Sequence, residues 1–195
     1  IFAMKLSLGV LGFIFFFSLS ANAGFMLEPY VSYEMGKIKQ PDVSAIEIKG
    51  INYGGRLGYQ FLGLKFGADY QTGAHRSTQD EAKGDFKPTD IGAFVGYEFP
   101  MVLQIYATYF FQSTVKQKSD TPSADDPATT TIDESADLGD LKGNAMRLGL
   151  GWTGLPFLSI NLEYIVRTYK KIGNLNLDGD LKGGTTALSI SIPLP

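Results

Sequence analysis

The sequence predicts an all-β fold: a single eight-stranded, antiparallel, up-and-down barrel of the transmembrane kind, preceded by a signal peptide. Three observations predict it. Apolar residues alternate with polar or tiny ones at period two, and no sustained helical period competes with that alternation. The connections between the alternating segments switch regularly between tight and long. Charges of both signs collect on one face of the segments, while aromatic residues bracket an aliphatic band on the other.

The chain divides near its start. One Lys, Lys5, precedes an apolar block from Leu6 to Leu19 that runs through Phe13, Phe15, Phe16 and Phe17. This block is shorter than the roughly 20 residues a spanning helix needs, so it does not read as a membrane anchor. Ala21-Asn22-Ala23 follows, with the small-x-small spacing of a signal peptidase site, and Met4 to Ala23 reads as a leader cleaved after Ala23. Residues 1–23 are therefore set apart from a barrel domain at 24–195. Ile1-Phe2-Ala3 precede the Met-Lys start and take no part in the fold argument.

Composition removes several function classes. The 195 residues suit one domain, and a mean hydropathy of +0.01 does not fit a bundle of membrane helices. The formal charge is −3, and losing Lys5 with the leader moves it to −4, so nothing invites nucleic acid. The absence of cysteine excludes thiolate catalysis and a disulfide framework.

Eight segments carry the alternation: Phe25 to Gly36, Lys49 to Phe61, Leu64 to Thr72, Thr89 to Phe99, Val102 to Thr114, Asn144 to Thr153, Phe157 to Lys170 and Gly184 to Leu194. Most reach the roughly 9 to 11 residues a tilted strand needs to cross a bilayer. Three connections are tight: Leu62-Gly63, Pro100-Met101 and Gly154-Leu155-Pro156. Four are expected to be long polar loops: Lys37 to Ile48, Gly73 to Pro88, Val115 to Gly143 and Lys171 to Gly183. Short periplasmic turns and long external loops mark outer-membrane barrels, which places both termini on the periplasmic side.

Alternation would also suit a soluble barrel with an apolar lumen, so the contents of the faces decide. The polar row holds Glu28, Glu34, Arg56, Lys65, Asp69, Asp90, Glu98, Arg147, Glu163 and Arg167, interleaved with glycine. Such a row belongs inside, where opposite charges pair away from lipid. On the apolar row, Phe25, Tyr59, Phe61, Tyr97, Phe99 and Trp152 gather toward the turns, and Tyr33, Tyr53, Tyr70, Tyr109 and Phe111 toward the loops. Between them the outward residues are chiefly aliphatic or small, Phe66 excepted. Two aromatic belts around an aliphatic band match the two interfaces of a membrane.

From Phe25 to Leu194 this pattern resembles the small eight-stranded bacterial outer-membrane barrels, the family that includes the transmembrane domain of outer membrane protein A. The resemblance is one of pattern, and the ending Ile192-Pro193-Leu194-Pro195 departs from the terminal aromatic residue that many such barrels carry. It implies an integral outer-membrane location. A monomer in contact with outer-membrane lipid and lipopolysaccharide is expected, with no cofactor and no metal, while the loops name no external partner.

Eight strands enclose an interior that side chains can fill. Tyr30, Phe94, Tyr106, Phe110, Ile165 and Tyr169 also point inward and would occupy the room left by the inward glycines. The buried charges then form a structural network and the protein is non-catalytic, serving a structural or surface-interaction role. A narrow channel for small or hydrophobic solutes, as in barrels resembling outer membrane protein W, is the alternative. A lipid A-modifying enzyme comes third. His75-Arg76-Ser77 has the His-x-Ser spacing of lipid A deacylases, but strand parity turns His75 and Ser77 inward or leaves them in a loop, with Glu81 in the same hydrophilic stretch. The acidic run Asp120, Asp125, Asp126, Asp133, Glu134, Asp137 and Asp140 lacks the spacing of an EF-hand and reads as solvated loop.

Overall fold

The alternating segments become eight strands in a computed structural model that describes residues 23–40, 43–79, 82–118, 140–155, 157–173 and 175–194. These are β1 (Gly24–Gln40), β2 (Val43–Phe61), β3 (Leu64–Gln79), β4 (Ala82–Phe99), β5 (Leu103–Lys118), β6 (Leu141–Leu155), β7 (Leu158–Ile172) and β8 (Leu175–Ser191). Each strand pairs antiparallel with the next, and β1 pairs with β8, so the sheet closes in sequence order. Closure leaves no unpaired strand edge, which a sheet in hydrocarbon requires. The expected leader lies outside the described residues except for Ala23. So do Glu81 and all of the acidic run except Asp140.

The strands run further at the loop end than the sequence suggests. Lys37 to Ile48, Gly73 to Pro88 and Lys171 to Gly183, expected as long loops, are largely ladder: Lys37 pairs with Glu47, Arg76 with Asp85 and Thr168 with Lys182. The physical reason is that a ladder bonds through the backbone, whatever the polarity of the side chains. The end of the apolar outward row marks where that face changes, not where the sheet stops. Within the extension the sense of alternation reverses. Ile48, Phe86, Val115, Leu141 and Leu181 line the lumen, while Lys49, Lys87, Lys116, Lys142 and Lys182 are exposed outside.

Local irregularities have local causes. Pro88 has no amide proton to donate, and the β3–β4 ladder skips from Thr72↔Thr89 to His75↔Phe86 beside it. The Thr72 hydroxyl takes up the Pro88 carbonyl at 3.1 Å. On β5 the register jumps between Ile91↔Gln112 and Gly92↔Phe110. Phe111 is the extra residue, and this bulge lets Phe110 and Ser113 both face inward.

The tight ends use left-handed backbone. Leu62 (φ 49°) and Gly63 (φ 81°) link the paired Phe61 and Leu64 in a two-residue hairpin of the type that needs positive φ twice. Val102 (φ 58°) ends the connection of Pro100, Met101 and Val102 between β4 and β5, so β5 starts one residue later than expected. Phe157 (φ 62°) likewise precedes β7. At the other end of the chain, Leu27 and Leu194 exchange backbone hydrogen bonds at 3.2 and 2.8 Å, which extends the β1 seam past the end of β8.

Candidate functional site

The interior is built from cross-strand rows. Glu28, Arg56 and Asp69 stand opposite one another on β1, β2 and β3, so unlike charges alternate at direct pairing distance. Arg56 binds Glu28 at 3.1 Å, Glu163 at 3.2 Å and Asp69 at 3.4 Å. Arg147 pairs with Asp69, lies 3.4 Å from Glu163, and donates to Gln71 at 3.0 Å and to Tyr30 at 3.2 Å. Three carboxylates thus surround two guanidinium groups, and neutral donors supply the balance. Tyr30 donates to Asp69 at 2.8 Å, Thr108 to Asp69 at 3.0 Å, Ser189 to Glu163 at 3.0 Å, and Tyr106 also donates to Glu163.

Rings close the same layer. The Arg56 guanidinium lies 3.9 Å above the Tyr106 ring, and Arg147 lies 5.0 Å from the Phe110 ring. Tyr106 fills the place that a Cβ on Gly149 would take, so the inward glycine is what allows the ring to lie across the lumen. Phe110, Ile165, Arg56 and Arg147 are sealed from solvent, and only about 10 Å³ of free space is left beside Arg56 and Tyr106.

Further polar tiers lie on either side. Toward the turns, Lys65 binds Glu98 at 2.7 Å and Gln104 at 3.2 Å. Glu98 is the one predicted lumen charge that is not sealed: its side chain is 31% exposed at the mouth, where the turn leaves room for water. Toward the loops, Arg167 pairs with Glu34 and reaches Asp90 at 3.2 Å. Asn52 donates to Glu34 at 2.7 Å, and Gln71 and Ser113 each donate to Asp90 at 2.6 Å. Above this tier opens a cavity of about 240 Å³, with Glu34, His75 and Arg167 at its base and Ile48, Phe86, Val115, Leu141 and Leu181 in its walls.

His75 and Ser77 sit in strand β3, not in a loop, and both face the lumen. The ladder continuing past Thr72 is the reason. His75 Nε2 lies 2.8 Å from Asn52 Oδ1, and Ser77 donates to the Gly84 carbonyl at 3.4 Å. No hydrogen bond joins the two residues to each other among those described.

The outer face carries the predicted aromatic residues. Phe25, Tyr59, Phe61, Tyr97, Phe99 and Trp152 are exposed on the turn side, and Tyr33, Tyr53, Tyr70, Tyr109 and Phe111 on the loop side. Tyr97 and Phe99 meet edge to face at 5.0 Å. Tyr164, which the sequence reading passed over, is also outward and exposed; its parity on β7 was the available signal. Beyond the loop-side row the outer face becomes ionic, with Lys37 at 3.0 Å from Glu47 and Arg76 at 3.2 Å from Asp85. The Lys37 ammonium holds the Glu47 carboxyl below the ordinary glutamate range. Spacing puts Asn52 and Gln71 on the same face as Arg56 and Asp69, but sequence reasoning missed Gln104, Thr108, Asn161 and Ser189 as neutral members of the lumen network, because inward parity was their only mark.

Known structures share this arrangement. Neisserial surface protein A superposes with a TM-score of 0.52 at 13% identity, over 88% of this chain and 98% of its own. Ail, the attachment invasion locus protein of Yersinia pestis, gives 0.54 at 15% identity, over 87% and 98%. The chain has the fold of the small outer-membrane barrels. The N-terminal β-barrel domain of Pseudomonas aeruginosa OprF shares that outer-membrane barrel fold, with a TM-score of 0.50 at 9% identity, over 89% of this chain and 100% of the domain. No protein-family signature matches the sequence, and no curated protein is similar to it.

Proposed function

We propose that the mature chain is an integral outer-membrane protein, inserted as a monomer after removal of its leader, with both termini in the periplasm and a non-catalytic structural or surface-interaction role. One observation carries the reading. On β2 the outward residues are apolar over about one bilayer crossing, from Ile51 to Phe61, and Leu148, Leu162 and Leu188 face outward on later strands, while Arg56, Asp69, Arg147 and Glu163 are sealed inside. A soluble barrel would need the opposite arrangement across those residues. The exposed aromatics then mark the two lipid interfaces, and lipopolysaccharide and phospholipid are the neighbours.

The lumen charges are assigned a structural role, because Arg56, Arg147, Tyr106 and Phe110 are all buried in one layer, with a space of only about 10 Å³ beside Arg56 and Tyr106. The contacts that define the role outside the cell fall to the loop end. Cell fractionation with heat-modifiable gel migration tests the placement: the expected result is a detergent-resistant band in the outer-membrane fraction, and a soluble periplasmic protein would end the proposal. Planar-bilayer recording tests the plug. The expected result is no steady current; a current that changes in Arg147→Ala would show an open lumen.

A further inference from the structure

We infer that the outer face of the barrel, just beyond the loop-side aromatic row, binds the phosphate groups of an anionic glycolipid of the lipid A class, each phosphate lying between paired cations of adjacent strands. The inference rests on the membrane placement proposed above and adds to it a site and a ligand chemistry.

The register carries it. Lys49 on β2 stands directly opposite Arg76 on β3, Lys87 on β4 opposite Lys116 on β5, and Lys142 on β6 opposite Lys171 on β7. All six are exposed on the outer surface. Like charges directly opposite, with Cβ atoms roughly 4.5–5.5 Å apart, destabilise a sheet. Here they recur on alternate seams of one rim, in a chain whose formal charge is −3. The chain's own carboxylates answer them only in part. Glu47 lies 3.9 Å from Lys49, Asp85 3.2 Å from Arg76 and Asp140 3.8 Å from Lys116. Lys87, Lys142 and Lys171 form no ion pair among the described residues.

The position selects the ligand. On β2 the outward residues run Tyr53, Ile51, Lys49, so the cation stands two outward places beyond the aromatic belt, at headgroup height. Lys49, Arg76, Lys87 and Lys116 line one open groove with Tyr33, Ile51 and Tyr53 on its membrane side. A phosphate offers three acceptor oxygens and close to two negative charges, enough to bridge two cations at once. An acyl chain attached to it would lie down the apolar rows below. That tether favours a lipid phosphate over a free one.

The test uses the mature protein in phosphatidylcholine nanodiscs with or without bisphosphorylated lipid A, and with dephosphorylated lipid A as control. Bisphosphorylated lipid A is expected to raise the melting temperature by something on the order of 5 °C and to co-purify with the barrel, with no rise for the dephosphorylated form. The variants Lys87→Gln/Lys116→Gln and Lys142→Gln/Lys171→Gln are expected to lose the rise, and the matching Lys→Arg variants to keep it. In detergent without lipid A the Gln variants should melt no lower than the parent, because repulsion has been removed. An equal rise in parent and Gln variants overturns the inference, as does reproduction of the rise by inorganic phosphate alone in detergent. Insertion into plain phosphatidylcholine separates the two readings. A parent barrel that fails there sinks the membrane placement and this site with it, whereas insertion without a phosphate-dependent rise sinks the site alone.

Discussion

Arg147 on β6 and Asp69 on β3 form an ion pair across the lumen, with both side chains fully sealed from solvent. Arg147 also reaches Glu163, Gln71 and Tyr30, so one guanidinium ties together three strands besides its own, β1, β3 and β7. Removing it leaves two buried carboxylates, Asp69 and Glu163, to share the single guanidinium of Arg56. Arg147→Ala should therefore cost about 3–5 kcal/mol, measured as a shift of the urea midpoint for loss of heat-modifiable migration. Arg147→Lys should recover only part of that, since an ammonium lacks the fork that serves several partners at once. An Ala variant within about 1 kcal/mol of the parent would show that the network contributes little.

Gly149 leaves room for the Tyr106 ring. Gly149→Ala should push that ring off Arg56 and Glu163 and destabilise the barrel by roughly 1–3 kcal/mol. In Tyr106→Ala the same glycine substitution should cost far less, so the double-mutant cycle should show strong coupling. Additive effects would mean that the ring does not depend on the glycine.

Leu148 sits mid-row on the outer face of β6, between Met146 and Leu150. If hydrocarbon bathes that row, Leu148→Arg should cost about 2–4 kcal/mol in a bilayer. In water an exposed substitution of this kind stays within about ±0.5 kcal/mol. Folding titrations into vesicles distinguish the two, and a neutral result would contradict the membrane reading.

Leu62 holds φ at 49° in the β2–β3 hairpin, a conformation that costs a residue with a β-carbon about 1–2 kcal/mol. Asn-Gly is the preferred pair in such turns, so Leu62→Asn should stabilise the barrel by about 1 kcal/mol. A lower melting temperature for this variant would show that Leu62 earns its place by some other contact.

The parity of the strands was legible in the sequence almost residue by residue. Lys65, Gly67, Asp69 and Gln71 share the inner face of β3 as their spacing implies, because a period of two admits no drift. The upper limits of the strands were not legible. Ile48-Lys49 and Leu181-Lys182 reverse the polarity of the rows below them, and a reading tuned to apolar outward residues stops where that reversal begins. The bulge at Phe111 was equally hidden, since nothing in the alternation marks the extra residue that lets Ser113 face inward and donate to Asp90, its partner on β4, at 2.6 Å. Nor could spacing alone show which inward charges meet: Arg56 and Glu163 lie on strands that touch only through the barrel's hollow.

The lysines at the far rim bear on how such a chain reaches its final place. In the orientation proposed here the polypeptide approaches from the side of its ends, so Lys49, Lys116 and Lys142 must travel through the oily slab before they meet water again. At about 2–4 kcal/mol for a cation at mid-depth, a lone hairpin carrying several of them would stall. The rim thus argues for concerted passage, in which neighbouring hairpins move together along a locally thinned or wetted path, and against threading one strand at a time.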